Sequence, residues 1–395
     1  MKVSLVDLGI VCSLGTCKQQ VLDNCLNNHS NHFVLRDDLH PHKAVWVGQV
    51  STELPNMQSY SAVYQNRCNQ LLLLAYQQIQ QRLQQINCPQ HKLAVVIGTS
   101  TSGIATGENA MRHKIQHGEM PTDFDYAMQE MGAPAQFVAH LSGATGPAYG
   151  ISTACSSSAK AIISAYHLLQ SGMVDVVIAG GVDSLCQLTS NGFSALESVS
   201  QSQCKPFSDE RDGISIGEGA ALFIMQRQAN GIVLEGFAEG SDAYHISAPC
   251  PDGSGAIRVM QQAMLMAQLN ADSIDYINLH GTGTIKNDEM EANAVHSLLR
   301  NVPCSSTKGK TGHTLGAAGA IEAGICWLLM SDLNRLHQLP ANSITYSLSS
   351  HLQPINLLTT SAPQTQPINS CLSNSFAFGG SNASLLLVRD KLCTK

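Results

Sequence analysis

The sequence has few charged and few aromatic residues. Of its 395 residues, 13% are Asp, Glu, Lys or Arg and 5% are Phe, Trp or Tyr. A globular domain usually carries about 25% charged residues. Hydrophobic residues make up 44%, which excludes a disordered chain, because disorder requires low hydrophobicity. This composition, with 32 glycines, predicts a compact α/β enzyme whose length allows two or three units or one large layered body.

Several classes of protein are excluded by missing patterns. No apolar run is long enough for a transmembrane helix. The apolar start, MKVSLVDLGIVCSLG, is interrupted by Asp7 and predicts a first strand, not a signal peptide. None of the 13 cysteines forms a C-x-x-C pair, so neither a zinc ribbon nor a redox dithiol is indicated. Scattered cysteines favour a reducing, cytoplasmic setting. The net charge of −7 without a basic stripe disfavours a nucleic-acid partner.

Strand and helix patterns alternate along the chain and predict two similar halves. Apolar runs bounded by glycine predict buried strands, and apolar residues at helical spacing predict the helices between them. A Gly/Ser/Thr-rich stretch over 98–107 is predicted as a loop. The first half gives strands at 3–9, 93–99, 149–154 and 174–179, with helices at 71–86 and 156–169. The second gives strands at 274–279 and 302–306, helices at 288–299 and up to about 329, and a hairpin of 372–378 with 383–388.

The segment GISTACSSSAK, residues 150–160, carries a candidate nucleophile. Cys155 lies where a strand turns into a helix, as a nucleophile does on a tight elbow. The positive end of the helix dipole favours a thiolate there. The alternative is a core cysteine at a helix start.

Two further segments combine histidine with Gly-rich loops. In LHGTGTIKNDEMEA, residues 279–292, His280 ends a strand and the hydroxyls of Thr282 and Thr284 are available as donors. Asp288 and Glu291 then open a helix, where the dipole favours acids; a structural histidine is the alternative for His280.

In SSTKGKTGHTLGAAGAIEAG, residues 305–324, Lys308 and His313 precede a Gly/Ala helix that carries Glu322. An unpaired carboxylate on that helix would be costly, and Lys308 is its natural partner. The glycine spacing does not match a phosphate-binding Walker loop.

The fourth segment, NSFAFGGSNAS at residues 374–384, carries Phe376, Phe378 and Gly379. It is interpreted as a plain hairpin turn or as an aromatic gate with exposed backbone N–H groups.

In this order the four segments resemble the elongating beta-ketoacyl-acyl-carrier-protein synthases of the thiolase-like superfamily. The resemblance extends over nearly the whole chain, also through GGVDSL (180–185), and is weakest over 29–145. It implies a duplicated α/β fold with five layers, α-β-α-β-α, and two mixed five-stranded sheets. An N-terminal half, 1–230, would hold the nucleophilic cysteine, and a C-terminal half, 231–395, the His/Lys/His site.

The resemblance also implies roles for particular residues. Cys155 would accept the acyl group, His280 and His313 would act as the histidine pair, and Lys308 and Glu322 as the supporting ion pair. Asp288 would support the site, and Phe378 would act as a gate whose backbone N–H, with that of Cys155, forms an oxyanion hole. The residues implied to contact the phosphopantetheine arm or the acyl chain are Thr282, Thr284, Phe376, Gly379 and, as the floor of the acyl pocket, Thr101.

The implied reaction is a decarboxylating condensation of an acyl group on Cys155 with malonyl-acyl-carrier protein, which lengthens the chain by two carbons. It needs no metal and no cofactor beyond the carrier's phosphopantetheine arm. The partners would be an acidic carrier protein, docked near residues such as Lys43, Arg67 and Arg112, and a second subunit in a homodimer or in a heterodimer with a chain length factor. The ACSSSA and GTGT segments, with Ile285 where fatty-acid enzymes carry proline, favour an aryl-polyene or polyketide pathway over general fatty-acid synthesis.

Three alternatives remain open at this point. A thiolase acting on coenzyme A thioesters would need a second cysteine near the C-terminal turn, where only Cys371 lies near. An initiating synthase uses a Cys-His-Asn set, whereas His313 occupies the third position here. A non-catalytic, chain-length-determining subunit shares the fold but lacks the nucleophile.

Overall fold

The architecture is that of a computed structural model, which describes residues 1–27, 32–228, 230–342, 349–361 and 363–390. Ala229 at the predicted junction of the halves and Cys393 lie outside the described residues. The strands are β1 (Val3–Cys12), β2 (Phe33–Arg36), β3 (Val45–Gly48), β4 (Leu93–Gly98), β5 (Ala148–Ile151), β6 (Val176–Asp183), β7 (Gly219–Arg227), β8 (Ile232–Ser241), β9 (Tyr276–Asn278), β10 (Cys304–Ser305), β11 (Ser370–Phe376) and β12 (Ser381–Arg389). The helices are α1 (Lys18–Leu26), α2 (Arg67–Ile86), α3 (Ile104–His117), α4 (Ala133–Ser142), α5 (Ser157–Gln170), α6 (Gln187–Ala195), α7 (Ser254–Ala267), α8 (Ile285–Leu299), α9 (Lys308–Thr311) and α10 (Ala318–Met330).

The main strands form two five-stranded groups with the same pattern of directions. One group has the order β1-β7-β6-β4-β5 and the other β8-β12-β11-β9-β10. In each, the first two pairings are antiparallel and the last two are parallel. Among the described residues, the two groups of strands pair with each other only at Ser4 and Val233, between β1 and β8. The predicted pair of mixed five-stranded sheets is therefore confirmed.

Helices cover both faces of each sheet and share the space between the sheets. α2 and α4 pack on the outer face of the first sheet, and α7 and α8 cover the outer face of the second. α5 and α10 lie between the two sheets and contact each other. At Gly319 a Cβ would come 2.8 Å from the Cβ of Ala159, so the small residues of α10 permit this close packing. The five-layered arrangement follows, as predicted.

The segment after β4 differs from its prediction. The predicted loop over 98–107 is shorter, because helix α3 begins at Ile104. Only Gly107 and Ala110 of this helix are buried, so it lacks the apolar spacing by which amphipathic helices are recognised. Gly103 precedes it because a Cβ there would lie 1.9 Å from the carbonyl oxygen of Met128. Within the described ranges, no helix has both the length and the apolarity for a membrane crossing.

Candidate active site

Cys155 lies on the predicted elbow between β5 and α5. Ala154, just before it, has φ +52°, a left-handed conformation that costs a non-glycine residue energy. The carbonyl oxygen of Ala154 accepts hydrogen bonds from the Ser157 backbone N–H at 3.1 Å and from the Ser157 hydroxyl at 2.5 Å. These local bonds hold the turn that places the sulfur at the start of the helix.

The thiol of Cys155 is less acidic than its place at a helix terminus predicts. Burial raises its pKa to about 11, although Lys308 and the backbone N–H groups of Phe378 and of Cys155 itself lower it. The side chain is only 5% exposed, so the cost of burying a charge outweighs the favourable field of the helix. The backbone at the helix start favours the thiolate, as expected, but burial outweighs it and Cys155 is a thiol near neutral pH.

His313 contacts this thiol directly. Its Nε2 lies 3.0 Å from Sγ of Cys155, and its Nδ1 accepts the backbone N–H of Leu315 at 3.2 Å. A neutral imidazole carries one proton, so an accepting Nδ1 puts that proton on Nε2. Burial and Lys308 lower the pKa of His313 well below its usual value, which keeps the ring neutral. His313 therefore presents an uncharged N–H group to the sulfur.

His280 is held in the same tautomer by a different group. Nζ of Lys308 lies 3.2 Å from Nδ1 of His280 and donates to the His280 carbonyl oxygen at 2.6 Å. The donor on Nδ1 again leaves the proton on Nε2. The two imidazole rings are perpendicular, with centroids 5.4 Å apart. Burial, Lys308 and His313 together lower the pKa of His280 well below its usual value.

Lys308 and Glu322 form the buried ion pair that the sequence suggested. Nζ of Lys308 donates to Oε1 of Glu322, and the two side chains are 0% and 3% exposed. Oε2 of Glu322 has no hydrogen-bond partner among the described residues. Burial raises the pKa of Glu322 to about 7, although Lys308 lowers it. Lys308 thus connects this acid to His280.

Two buried carboxylates hold the loop that follows His280. Oδ1 of Asp288 accepts the backbone N–H groups of Thr282 at 3.1 Å and Gly283 at 3.3 Å. Glu291 accepts the backbone N–H groups of His280 and Gly281 at 2.8 and 2.7 Å. Burial raises the pKa of Asp288, and raises that of Glu291 to about 7.

The sequence predicted the place of both acids but explained them by the helix dipole. Glu291 was missed as a site residue. The signal for it was its spacing of three residues from Asp288, which puts both side chains on one face of α8.

A cavity of about 270 Å³ opens above these groups. The hydroxyls of Thr282 and Thr284 lie 2.9 Å apart on its wall. The ring of Phe378 packs against Phe193, with centroids 5.5 Å apart. Gly379, with φ +80°, follows it and lines an adjoining exposed hollow. Of the predicted site residues, those on the wall of the main cavity are Cys155, His280, His313, Thr282, Thr284, Phe376 and Phe378.

Some residues proposed from the sequence lie elsewhere. Thr101 is fully buried, and its hydroxyl and backbone N–H both donate to Asp183, so it is not on the wall of this cavity. Arg67 was proposed as a docking residue for the carrier protein. Its guanidinium instead binds the buried carboxylate of Glu218, with Nε 2.7 Å from Oε2. Arg112 donates to Asn109 and Gln187. Lys43 is exposed.

Cys155, His280 and His313 lie close enough together to bind one metal ion, but their hydrogen-bond partners do not suit metal ligands. The ligand atoms lie within 4.8 Å of one another. A histidine that binds a metal through one nitrogen usually donates its other N–H to an acceptor. Here the Nδ1 atoms face donors, Lys308 and the Leu315 N–H, so each Nε2 lone pair is occupied by a proton. The residues therefore do not fit a resident metal ion.

Comparison with known proteins agrees with this geometry. The family described as "Beta-ketoacyl synthase, N-terminal domain" matches residues 41–230, and "Beta-ketoacyl synthase, C-terminal domain" matches residues 232–338. The 3-oxoacyl-[acyl-carrier-protein] synthase 2 of Rhizobium meliloti (strain 1021) is 38% identical over 62% of this chain, and the match spans 61% of that protein. The Staphylococcus aureus protein of the same description is 32% identical over 75% of this chain and 76% of its own length.

A solved structure is similar over almost the full length. A chain from the complex of the ketosynthase ApeO with its chain length factor ApeC, from Xenorhabdus doucetiae, has 40% sequence identity and a TM-score of 0.93. The match covers 98% of each chain. With both family domains matched in order, and with a curated relative above 30% identity over three quarters of its length, this chain belongs to the beta-ketoacyl synthase family.

Proposed function

We propose that this protein condenses an acyl group held on Cys155 with malonyl-acyl-carrier protein, with loss of CO₂, to give a 3-oxoacyl-acyl-carrier protein. One observation carries the proposal. A buried thiol and two neutral imidazoles meet at one cavity, and each imidazole has its Nδ1 occupied by a donor on the far side. Such a set supplies one nucleophile and two uncharged N–H donors.

In the first step Cys155 takes the acyl group from a carrier thioester. Sγ bonds to the acyl carbon, the bond to the carrier sulfur breaks, and the proton of the Cys155 thiol goes to the departing carrier thiolate. The backbone N–H groups of Cys155 and Phe378 both face Sγ, so an oxyanion on the adjacent carbon lies within their reach. Donors held in place before the reaction stabilise such an anion without a cost of reorganisation.

In the second step malonyl-carrier loses CO₂. The electrons of the broken C–C bond move into the thioester carbonyl and produce an enolate. The Nε2–H groups of His280 and His313 donate to that oxygen. Because Lys308 donates to Nδ1 of His280, its ring is polarised toward the enolate without first becoming charged. The enolate carbon then attacks the acyl-cysteine, the C–S bond breaks, and the released thiolate is protonated from solvent.

The remaining site residues have supporting roles in this proposal. Thr282 and Thr284 bind the phosphopantetheine arm on the cavity wall, with Phe376 and Gly379 near the substrate and Phe378 acting as a gate. Asp288 holds the loop that carries the threonines. No separate cofactor is part of the reaction, since the substrates arrive on the carrier's arm. Thr101 has no substrate contact in this proposal, because it is buried and donates to Asp183.

We also propose the wider setting. The partners are an acyl-carrier protein and a second subunit in a homodimer or in a heterodimer with a chain length factor, and the likeness to a chain from the ApeO–ApeC complex favours the heterodimer. The same likeness supports a polyene- or polyketide-type pathway over general fatty-acid synthesis. The boundary between the two halves lies between residues 230 and 231, as the repeat of strand directions on either side supports. A cytoplasmic location is supported by the described cysteines, which are all unpaired.

The non-catalytic chain length factor is the second candidate, because the matched complex contains one. Against it stand the nucleophile and both histidines, which a non-catalytic subunit does not need. A thiolase is disfavoured because Cys155 is the only cysteine among the described residues that line the cavity. Cys371 is fully buried on β11, in the core.

Intact-mass measurement tests the proposal. The protein is mixed with carrier proteins that bear saturated C6 to C16 chains or conjugated and aryl-polyene starters. We expect an adduct of the acyl mass on the protein, no adduct on Cys155→Ala, and an unchanged adduct on the matched control Cys371→Ala. The preferred acyl group identifies the pathway. If no donor gives an adduct on folded protein, alone or with a chain length factor, the catalytic proposal is wrong.

A further inference from the structure

We infer that Asp183 is a positioning residue that fixes the nucleophile turn and the His313 turn against each other. This inference rests on the proposed function, since it explains how two groups of the proposed reaction are aligned. Asp183 does not line the cavity, and its described hydrogen-bond partners include neither Cys155 nor His313. It acts through the two backbone turns that carry them.

Asp183 ends strand β6 at a place where several backbone segments meet. β6 runs parallel to β4, with Gly181 beside Gly98, so the end of β6 lies beside the segment that follows β4. The carboxylate is fully buried. It accepts hydrogen bonds from the hydroxyls of Thr99 and Thr101 and from the backbone N–H groups of Ser100, Thr101 and Gly316. No described lysine or arginine forms an ion pair with it. Burial raises the pKa of Asp183, although the donors on Thr99, Ser100 and Thr101 lower it, so these hydrogen bonds counteract the cost of burial only in part.

One arm of this network reaches the nucleophile. The backbone N–H of Ser100 donates to Oδ1 of Asp183 at 2.8 Å, and the Ser100 hydroxyl donates to the carbonyl oxygen of Ala154 at 3.2 Å. Ala154 is the left-handed residue directly before Cys155. An energetically unfavourable backbone conformation persists only when its surroundings hold it. Asp183 therefore supports the turn that aims the sulfur.

The other arm reaches His313. The backbone N–H of Gly316 donates to Oδ2 of Asp183 at 2.5 Å. The residue before it, Leu315, is also left-handed, with φ +51°, and its N–H sets the tautomer of His313. A Cβ on Gly316 would lie 2.6 Å from the Ser100 hydroxyl and 2.8 Å from Oδ2 of Asp183. Gly316 is thus required where the two arms meet, because any side chain there would collide with Ser100 and Asp183. Its φ angle does not require glycine.

The two arms together make one carboxylate the common support of two left-handed residues. One of these residues precedes the nucleophile, and the other orients its histidine. Because near-attack geometry is sensitive to displacements of about 1 Å, loosening Asp183 should slow the chemistry without weakening carrier binding. Thr282 and Thr284 form the part of the cavity wall that would bind the carrier's phosphopantetheine group. A different acid, Asp288, holds their loop through the backbone N–H of Thr282.

Three variants test the inference against two partial reactions. Acyl transfer to Cys155 and decarboxylation of malonyl-carrier are measured separately, with kcat and KM for the overall condensation. We expect Asp183→Asn to slow both partial reactions and to lower kcat about 100-fold with KM within twofold. Ser100→Ala should slow acyl transfer more than decarboxylation. Gly316→Ala should slow both reactions, because its Cβ would displace the Ser100 hydroxyl as well as Oδ2 of Asp183.

Controls separate positioning from general damage. Gly132→Ala adds a methyl group where nothing lies within 4 Å. Asp275→Asn alters another carboxylate with several donors outside the site. Both should keep kcat within twofold. The inference is overturned if Asp183→Asn retains both partial rates, or if Ser100→Ala slows the two reactions equally. If Asp183→Asn does not fold, the other two variants decide: Ser100→Ala must slow acyl transfer selectively, and Gly316→Ala must slow both reactions.

Failure of this inference differs from failure of the proposed function. If the wild-type protein forms no acyl adduct and releases no CO₂, the proposed function fails. Alkylation of Cys155 by iodoacetamide needs no carrier, so it still reports on the nucleophile turn. An unchanged alkylation rate in both Asp183→Asn and Ser100→Ala overturns the inference in that case.

Discussion

Removal of Lys308 should give a stability loss that grows with pH above 7. The side chain is fully buried and is the only described hydrogen-bond donor to Glu322. In Lys308→Met the carboxyl remains in the core without a partner. Breaking a buried pair by removing one member costs about 3–5 kcal/mol, and we expect a loss of this size at pH 7.

The sign of the pH dependence follows from the pKa of Glu322. Burial raises it from 4.5 to about 7 in the folded wild type. Between these values the folded state binds the extra proton, so stability falls as pH rises and then levels off above 7. Lys308 lowers this pKa, and without it the folded pKa rises further. The variant therefore continues to lose stability above pH 7, by up to about 1.4 kcal/mol per pH unit.

Urea unfolding at pH 7.0, 7.75 and 8.5 measures the effect. The stability gap between wild type and Lys308→Met should widen by up to about 2 kcal/mol over this range. The pKa values of both histidines are lowered well below 6.5, so the wild-type rings do not titrate there. The double variant Lys308→Met with Glu322→Gln lacks the Glu322 carboxyl. Only the smaller effect of losing Lys308 on the pKa of Glu291 remains, so its gap should widen less than that of the single variant. A gap that does not widen in the single variant, or widens equally in the double variant, would refute the reasoning.

Further predictions concern the nucleophile, the donors and the central helix layer. Alkylation of Cys155 by iodoacetamide should accelerate about tenfold per pH unit from pH 7 to 9, because burial raises its pKa to about 11; a plateau near pH 8 would contradict this. His280→Asn and His313→Asn should each lower malonyl decarboxylation about 100- to 1000-fold, as loss of an oxyanion donor does, and CO₂ release within tenfold of wild type would exclude the donor role. Gly319→Ala should destabilise the fold by about 1–3 kcal/mol in urea unfolding, because its Cβ meets α5, whereas Gly132→Ala should change stability by less than about 0.5 kcal/mol.

Eight of the twelve described strands could be predicted from local signals, whereas β2, β3, β7 and β8 were missed. Of the described helices, α2, α5, α8 and α10 were predicted from the sequence. α2 and α5 show apolar residues at helical spacing, and the hairpin of β11 with β12 forms around the predicted glycine turn. α3 was not predicted. It buries only Gly107 and Ala110, so its sequence lacks the large apolar residues at helical spacing that indicate an amphipathic helix. The Cys155 elbow was predictable because its small neighbours and following helix are adjacent in sequence.

The properties that decide reactivity could not be predicted, because they depend on contacts between distant segments. Cys155 and His313 are 158 residues apart, and the thiol pKa rises because the whole fold buries it. The same holds for Thr101, which lay in the weakly matched region and proved to be a partner of Asp183, 82 residues away.

By itself, the sequence determined the chemistry available to this protein: one cysteine at an elbow, two histidines, a lysine–glutamate pair and Gly-rich turns, in the order of the family. The tertiary structure alone decided how those groups are poised. It made Cys155 a buried thiol, set both imidazoles as Nε2–H donors through Lys308 and the Leu315 N–H, and joined two turns at Asp183. The physical reason is that residue identity and local turns are short-range properties, whereas burial, tautomer and alignment arise only when distant segments pack together.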